Sequence, residues 1–163
     1  MPRKLTDNTS SKPPGNPAML LDNQLCFSLY SASLAMTRLY KPLLDALDLS
    51  YPQYLVMLVL WERDGLGVSE LGERLGLDSG TLTPLLKRME SAGLMVRQRS
   101  SEDERRVHVR LSPTGKRLQS RAAHIPGCLV AQSGLPVADL VALNHQIKSL
   151  RSAMRTPNPH AAN

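Results

Sequence analysis

The most constraining feature of the sequence is an ordered series of short elements between residues 69 and 111. The segment SELGERLG predicts a two-turn helix with Ser69 as its N-cap and Gly76 as its stop. A tight turn leads into TLTPLLKRMESAG, which predicts a second helix. Residues 94–99 and 106–111 then alternate apolar and polar side chains, which is typical of two strands joined by a polar turn. Two short helices followed by a hairpin predict a helix-turn-helix with a β-hairpin wing.

The first residue of the second helix is not fixed by the sequence. Asp78 and Ser79 are both good N-caps. With either cap, Pro84 lacks the amide hydrogen that one of the early helical hydrogen bonds requires. The sequence therefore predicts the helix and leaves two alternatives for its start.

Side chains on the second helix and in the turn of the hairpin are of the types that contact DNA. Short hydroxyls and long cations reach phosphates and base edges, and an arginine on a tight turn can enter a minor groove. A solvated face is the simpler explanation for any single charge, but the ordered motif around these charges favours DNA. The residues concerned are Thr81, Thr83, Lys87 and Arg88 on the helix, with Asp103, Arg105 and Arg106 in the turn, where Asp103 can brace Arg105.

The overall charge agrees with a polyanionic partner. The 163 residues include 20 Lys and Arg against 14 Asp and Glu, a net charge of +6, and ribosomal or heparin-binding proteins share such a balance with DNA-binding ones. No apolar run reaches the roughly 18 residues of a membrane span. The N-terminus also lacks the apolar segment of a secretory signal. We therefore expect a cytoplasmic protein without a membrane partner.

A long amphipathic helix is predicted ahead of this motif, from about Leu20 to Lys41, and Pro42 is expected to kink it or to start a continuation. Its apolar residues recur in steps of three and four and share one face: Leu21, Leu25, Leu29, Ala32, Met36, Leu39, Leu43 and Leu47. Ser50 and Gln53 then form a capping box at the start of YPQYLVMLVLWE. That segment is apolar almost all round, which predicts a central core helix.

The chain after the hairpin is predicted to be helical with one interruption. A helix starts at Ser112, and residues 125–128 (IPGC) are expected to break it. A last helix begins near Pro136, with apolar residues in a narrow seam of the coiled-coil type: Leu140, Leu143, Ile147, Leu150 and Met154. Such a seam suits packing on another helix, including one from a second subunit.

The N-terminal helix also carries a cysteine and several tyrosines, which an apolar stripe does not explain. Cys26 lies one position off the stripe and near the helix N-terminus, where the helix dipole favours a thiolate. The alternative is a small buried hydrophobe. A phenol that donates to sulfur stabilises the thiolate, which is the form that attacks a peroxide.

Three tyrosines are candidates for that donor. Tyr30, at i+4, can reach Cys26 within one chain. Tyr40 and Tyr51 follow Cys26 by 14 and 25 residues. Because 14 helical residues span about 21 Å, they cannot touch it on one straight helix. Antiparallel pairing of this helix with its copy in a dimer can bring them together.

Three segments, LGLDSGTLTPLLKRMESAGL, DERRVHVRLSPTGK and the LSPxG within it, resemble the MarR family of winged-helix transcriptional regulators. The resemblance covers about residues 20–155. It implies a fold that is mainly α with a small β-hairpin wing, in an intertwined homodimer. It also implies an inverted-repeat operator in double-stranded DNA, with half-sites about 34 Å apart. On the recognition helix it adds Ser79 and Pro84 to the DNA-contacting residues.

Within that family the chain is similar to the OhrR branch, which senses organic hydroperoxides. The similarity lies in Cys26, Tyr40 and Tyr51, the YPQYLVMLVLWE run and the AxxIPG segment. It implies a repressor in which Cys26 is bonded to both tyrosines of the partner subunit. Oxidation of Cys26 to a sulfenic acid by an organic hydroperoxide then releases the operator.

The second cysteine, Cys128, has two interpretations. It can be an unreactive loop cysteine. The alternative follows from the resemblance, because some members of the branch carry a second cysteine that forms an intersubunit disulfide with the oxidised one. A second cysteine in the IPGC segment is similar to the two-cysteine members, in which Cys128 would resolve the sulfenic acid of Cys26.

These features together predict five regions along the chain. They are a flexible basic arm (1–18), an N-terminal dimerisation and sensor helix (19–50), the winged helix-turn-helix (51–115), C-terminal dimerisation helices (116–156) and a flexible tail (157–163).

Three other functions compete with that of a hydroperoxide-sensing repressor. A thiol peroxidase is disfavoured because the chain has neither a CxxC nor a βαβ pattern, so we expect no enzyme, cofactor or metal site. A zinc-responsive regulator has only His124 and Cys128, four residues apart, as ligands. A regulator that responds to a small phenolic ligand stays open.

Overall fold

The structure is a computed structural model that describes residues 16–99 and 107–155. Packing divides the chain into two compact units, Met1–Arg38 and Leu39–Asn163. The three residues predicted for the wing turn, Asp103, Arg105 and Arg106, lie outside the described residues, as do most of the predicted arm and the tail.

The N-terminal helix begins later than the sequence predicted. Two 3₁₀ turns, Pro17–Met19 and Leu21–Asn23, precede α1, which spans Leu25–Asp45. The side chain of Gln24 explains the delay, because its Nε2 donates to the carbonyls of Ala18 (2.6 Å) and Leu20 (3.2 Å). The second bond occupies the Leu20 carbonyl, which a helix from Leu20 would have used for a backbone hydrogen bond. Pro42 lies inside α1 and does not end it.

The second helix, α2, spans Tyr51–Glu62 and starts at the predicted capping box. The Ser50 hydroxyl accepts from the amide of Gln53, and the Gln53 side chain accepts from the amide of Ser50. Five of its residues are buried, on several sides of the helix: Tyr54, Val56, Met57, Val59 and Leu60. The prediction of a central core helix is therefore confirmed.

The helix-turn-helix consists of α3 (Val68–Leu75) and α4 (Ser79–Ser91). The prediction of Ser69 as the N-cap of α3 is wrong, since the helix begins at Val68 and its N-cap is Gly67, two residues earlier. Gly76 ends α3 in the left-handed conformation, with φ 67°. Asp78 resolves the open boundary of α4, because its carboxylate accepts from the amide of Thr81 at 2.7 Å.

The wing belongs to a three-stranded antiparallel sheet. Its strands are β1 (Leu66–Gly67), β2 (Met95–Arg99) and β3 (Val107–Leu111), in the order β1-β3-β2. The two predicted strands of the hairpin are confirmed, whereas β1 was not predicted from the sequence. Asp64, just before β1, accepts from the amides of Leu111 (2.8 Å) and Gly65 (2.9 Å), which joins the end of α2 to the sheet.

Three helices follow the sheet: α5 (Pro113–Ala122), α6 (Ile125–Ser133) and α7 (Val137–Arg155). The predicted interruption is present, but it lies at residues 123–124, and residues 125–128 form the first turn of α6. Pro126 lies in that first turn, where a missing amide hydrogen costs little. None of the residues of α7 is buried.

No helix of the described ranges is long and apolar enough to cross a membrane by itself. Only the bent pair Pro113–Ser133 and Val137–Arg155, at 101° to each other, passes a test of length and composition jointly.

Candidate DNA-binding surface and sensor site

The recognition helix α4 separates core residues from residues open to solvent. Leu82, Leu85, Leu86 and Met89 are buried and hold the helix against the core. The predicted DNA-contacting residues of α4 lie on the other side or at its edge: Ser79, Thr81, Pro84, Lys87 and Arg88 are exposed, and Thr83 is half-buried. The fold therefore presents a row of hydroxyls and cations along one exposed helix face, as groove binding requires.

The N-cap of α4, Asp78, fixes the first turn of the helix, where its exposed face begins. The Asp78 carboxylate accepts a hydrogen bond from the amide of Thr81. This bond is the main reason that the pKa of Asp78 lies below its usual range. The carboxylate is thus ionised at neutral pH, where it also interacts favourably with the positive end of the helix dipole.

The C-terminal turn of α4 is joined directly to the wing strand β2. Glu90 Oε1 accepts from the backbone amide of Arg97 at 2.9 Å, and Glu90 Oε2 accepts from Arg97 Nε at 2.8 Å. Arg97 Nη2 completes the ion pair at 2.7 Å. The hydrogen bonds from Arg97 lower the pKa of Glu90. Three contacts on one carboxylate fix both the direction of β2 and its position along α4.

Three tyrosines and a tryptophan form an aromatic cluster between the end of α1 and α2. The ring centroids of Tyr40 and Tyr51 are 5.2 Å apart, and those of Tyr40 and Tyr54 are 5.9 Å apart. Tyr54 in turn packs edge to face on Trp61 at 6.3 Å. The two tyrosines that the resemblance assigned to a single sulfur atom thus lie side by side in one subunit.

The environment of these phenols keeps them protonated. Burial raises the pKa of Tyr40, and the neighbouring phenols of Tyr54 and Tyr51 raise it further. Burial likewise raises the pKa of Tyr51 and that of Tyr54. Within the described part of the chain, none of the three hydroxyls hydrogen-bonds to another residue. The cluster therefore offers O–H groups that are free to donate to an incoming acceptor.

The proposed sensor cysteine lies in the first turn of α1, where Cys26 is exposed. Tyr30, which is 62% exposed, is one turn further along the same helix. No hydrogen bond joins Cys26 to Tyr30 among residues 16–99 and 107–155. In a single chain, the thiol is therefore open to solvent or to a partner.

The second cysteine is helical, and the interpretation of Cys128 as a residue of a broken loop is corrected. Its amide donates to the carbonyl of His124 at 3.2 Å in the first turn of α6, and it is half-exposed as a free thiol. Residues 16–99 and 107–155 contain no group of three or more His, Cys, Asp or Glu side chains arranged to hold a metal ion.

One residue of the cluster was missed by the sequence analysis. The indole Nε1 of Trp61 donates to the carbonyl of Gly115 in α5 at 2.9 Å, across 54 positions of sequence. No local motif encodes this bond. Only the contrast between an apolar helix and its single tryptophan with a polar N–H could have drawn attention to it.

Comparisons with known proteins agree with this arrangement. A family model for the transcriptional regulators SarA and Rot matches residues 38–121. The chain is 49% identical over 140 residues to the organic hydroperoxide resistance transcriptional regulator of Bacillus subtilis, covering 86% of this chain and 95% of that protein.

Two solved structures of AbfR, a protein of Staphylococcus epidermidis, are also similar. Reduced AbfR bound to DNA matches with a TM-score of 0.71 and 32% identity, covering 83% of this chain and 92% of that one. Disulfide-formed AbfR matches with a TM-score of 0.57 and 35% identity, covering 80% and 91%.

Proposed function

The chain belongs to the MarR-type, SarA/Rot-like family of winged-helix transcriptional regulators, in its organic-hydroperoxide-resistance branch, and we propose that it is a homodimeric repressor that releases its operator when an organic hydroperoxide oxidises Cys26. The pairing of Tyr40 with Tyr51 is the observation that carries this proposal, because it places two phenolic donors side by side, 5.2 Å apart between ring centroids. The wider function is that of a DNA-binding regulator, in a family of regulators and not of enzymes.

DNA is bound through α4 and the wing. Lys87 and Arg88 supply phosphate contacts, while Thr81 and Thr83 are short enough to approach base edges. Ser79 and Pro84 are also exposed on this helix. In this proposal Arg105 and Arg106 of the wing turn contact the minor groove, and Asp103 braces Arg105. The Glu90–Arg97 ion pair fixes the position of the wing strand β2 relative to α4.

The dimer is supported by apolar faces that a single chain leaves uncovered. Leu25 and Met36 of the α1 stripe are 59% and 41% exposed. In α7, Leu143, Ile147 and Met154 of the predicted seam are exposed as well. Large apolar side chains at helical spacing mark interaction surfaces. Regions 19–50 and 116–156 are accordingly proposed as the dimerisation regions on either side of the DNA-binding region 51–115.

The sensor is proposed to be shared between two subunits. Cys26 of one subunit approaches the Tyr40 and Tyr51 hydroxyls of the other, because 14 helical residues, about 21 Å, separate Cys26 from Tyr40 along a chain. Both phenols keep their protons at neutral pH. They can therefore donate two hydrogen bonds to the sulfur, which favours its thiolate.

Oxidation proceeds in two steps. The thiolate of Cys26 attacks the terminal oxygen of the hydroperoxide, the O–O bond breaks, and the alkoxide leaves and is protonated to the alcohol. The sulfur loses two electrons and becomes a sulfenic acid. The thiol of Cys128 then attacks that sulfur, forming an S–S bond and releasing water. A disulfide requires its two sulfur atoms to lie about 2.05 Å apart. Its formation therefore pulls α6 toward α1 of the other subunit and moves the DNA-binding region away from the position in which it fits the operator.

DNA binding and its reversal test the proposal. Fluorescence anisotropy of labelled upstream DNA is measured with reduced protein, after cumene hydroperoxide, and after a dithiol. We expect binding, release and recovery for the wild-type chain, and binding without release for Cys26→Ser. Release of the Cys26→Ser variant by the hydroperoxide would overturn the sensor assignment, and release of the wild-type protein by a phenol alone would favour a ligand-responsive regulator.

A further inference from the structure

A continuous series of contacts leads from the sensor tyrosines to the base of the wing. We propose that Trp61 is the positioning residue that transmits a change at Tyr40 and Tyr51 to the start of the wing. This inference rests on the proposed redox function and names the residue through which that function reaches the DNA-binding surface. The contacts run from Tyr51 to Tyr40, Tyr54 and Trp61, and then through a hydrogen bond to Gly115.

The sensor end of the series is tightly packed. Tyr54 is 2% exposed, with its ring between those of Tyr40 and Trp61. Protein cores are packed as densely as organic crystals, so a ring in such a position cannot move without moving its neighbours. A displacement of Tyr40, when its hydroxyl loses the sulfur acceptor, is therefore passed to Tyr54 and from it to Trp61.

The wing end of the series is a backbone contact. The carbonyl of Gly115 accepts from Trp61 Nε1. Gly115 itself lies so close to the Leu94 carbonyl that a Cβ atom there would overlap it. The same Leu94 carbonyl accepts from the amide of Ser112 at 3.1 Å. Leu94 directly precedes β2, so a shift of Gly115 acts on the residue from which the wing starts.

The structure leaves room for Trp61 to change its position. A mainly apolar surface pocket of about 310 Å³ lies beside it, and its lining residues are Tyr54, Leu58, Glu62, Gln119, Ala122, Ala123 and Pro126. The observed position of the indole is defined by its N–H bond to Gly115, and movement into the adjoining space would break that bond. Two discrete arrangements are what a coupling element needs.

Asp64 provides a matched control for this role. It lies three residues after Trp61, just beyond the end of α2, and it holds the wing through the amide of Leu111. Among residues 16–99 and 107–155, no hydrogen bond joins its carboxylate to Tyr40, Tyr51 or Tyr54. Loss of its carboxylate therefore disturbs the wing in the reduced and oxidised protein alike, whereas loss of the Trp61 N–H bond changes the difference between the two states.

The first test uses the wild-type protein, because Trp61 is the single tryptophan of the chain. Its emission spectrum is recorded during oxidation with cumene hydroperoxide, in parallel with DNA anisotropy and with trapping of the Cys26 sulfenic acid. We expect the emission to shift as DNA is released and to return with a dithiol. Sulfenic acid and DNA release without any change in emission would overturn this inference and leave the redox function standing.

The second test uses Trp61→Phe, which keeps an aromatic ring and removes the N–H donor. We expect Cys26 oxidation at the wild-type rate, with the ratio of the oxidised to the reduced Kd for DNA smaller by roughly 2- to 30-fold. For Asp64→Ala, we expect weaker binding in both states and an unchanged ratio. An unchanged ratio for Trp61→Phe would contradict the role of Trp61. Absence of sulfenic acid in the wild-type protein would overturn the redox function together with this inference.

Discussion

The phenol rings of Tyr40 and Tyr51 lie 5.2 Å apart, although one residue is near the end of α1 and the other begins α2. A compact turn brings them together, in which the amide of Leu49 donates to the carbonyl of Leu44 at 3.0 Å and Asp48 adopts a positive φ of 54°. The Ser50 capping box then sets the direction of α2. Local chain chemistry thus builds a pair of phenolic donors before any partner is present.

The cations of α4 are predicted to act through phosphate contacts. Lys87→Ala should weaken binding to specific and unrelated DNA by similar factors, because a phosphate contact carries no sequence information. The slope of log K against log salt should fall by about 0.9, the contribution of one neutralised phosphate. Anisotropy titrations at several salt concentrations measure both quantities. Lys41→Ala, which removes an exposed cation paired with Asp45, should leave the slope unchanged.

The ion pair between Glu90 and Arg97 is predicted to support the wing in a pH-dependent way. Hydrogen bonds from Arg97 hold the pKa of Glu90 below its usual value of 4.5. The stabilisation that the ion pair contributes is therefore fully present above the pKa of glutamate in the unfolded chain, and it is lost as the pH falls through the lowered pKa of the folded state. The free energy of unfolding of Glu90→Gln should therefore differ most from that of the wild type near neutral pH. Denaturant titrations from about pH 7 to pH 3 measure this difference.

The matched comparison for Glu90→Gln is Glu70→Gln, which removes a more exposed ion pair with Arg63. Exposed pairs contribute little to stability, so the Glu70 variant should follow the wild type at each pH. A Glu90 variant that weakens neither folding nor DNA binding would show that the three contacts on this carboxylate do not position β2.

Gly115 is predicted to tolerate no side chain. A Cβ atom would overlap the Leu94 carbonyl oxygen and lie 3.2 Å from Leu111, so Gly115→Ala should destabilise the fold by about 1–3 kcal/mol. Gly127, in α6, has no heavy atom within 4 Å of such a Cβ, and Gly127→Ala should be neutral or stabilising by up to about 1 kcal/mol. Thermal unfolding of both variants decides between these expectations. Equal stability of the two would contradict the close approach at Leu94.

Cys128→Ser should separate the two oxidation steps. We expect the sulfenic acid at Cys26 to form at the wild-type rate, because Cys128 takes no part in the attack on the hydroperoxide. The covalent dimer on a non-reducing gel should disappear. A covalent dimer that persists in this variant would rule out Cys128 as the resolving thiol.

Local signals in the sequence were sufficient for most helices and for the hairpin. The capping box at Ser50 and Gln53, the left-handed Gly76 and the alternating strands each depend on neighbours within a few residues, and each is present in the structure. The start of α1 was misjudged because side-chain bonds of Gln24 compete with the helix.

Features that depend on distant residues could not be read in the same way. Strand β1 has only two residues, and it is defined by pairing with Val109 and His108 of β3. The IPGC segment contains a proline, which breaks a helix when it lies in the interior but is favoured in the first turn. The same sequence is therefore compatible with the interruption of one helix or with the start of another. The bond from Trp61 to Gly115 joins positions that only the folded chain brings together.

The most direct test of the shared sensor uses mixed dimers with two affinity tags. One subunit carries Cys26→Ser, and the other carries both Tyr40→Phe and Tyr51→Phe. In this dimer the remaining Cys26 meets intact tyrosines only if they come from the partner, so we predict sulfenic acid formation at the wild-type rate. In the reverse dimer, one subunit carries all three substitutions and the other is wild type, and we predict slow oxidation. Slow oxidation in the first dimer with rapid oxidation in the second would contradict a sensor built from two subunits.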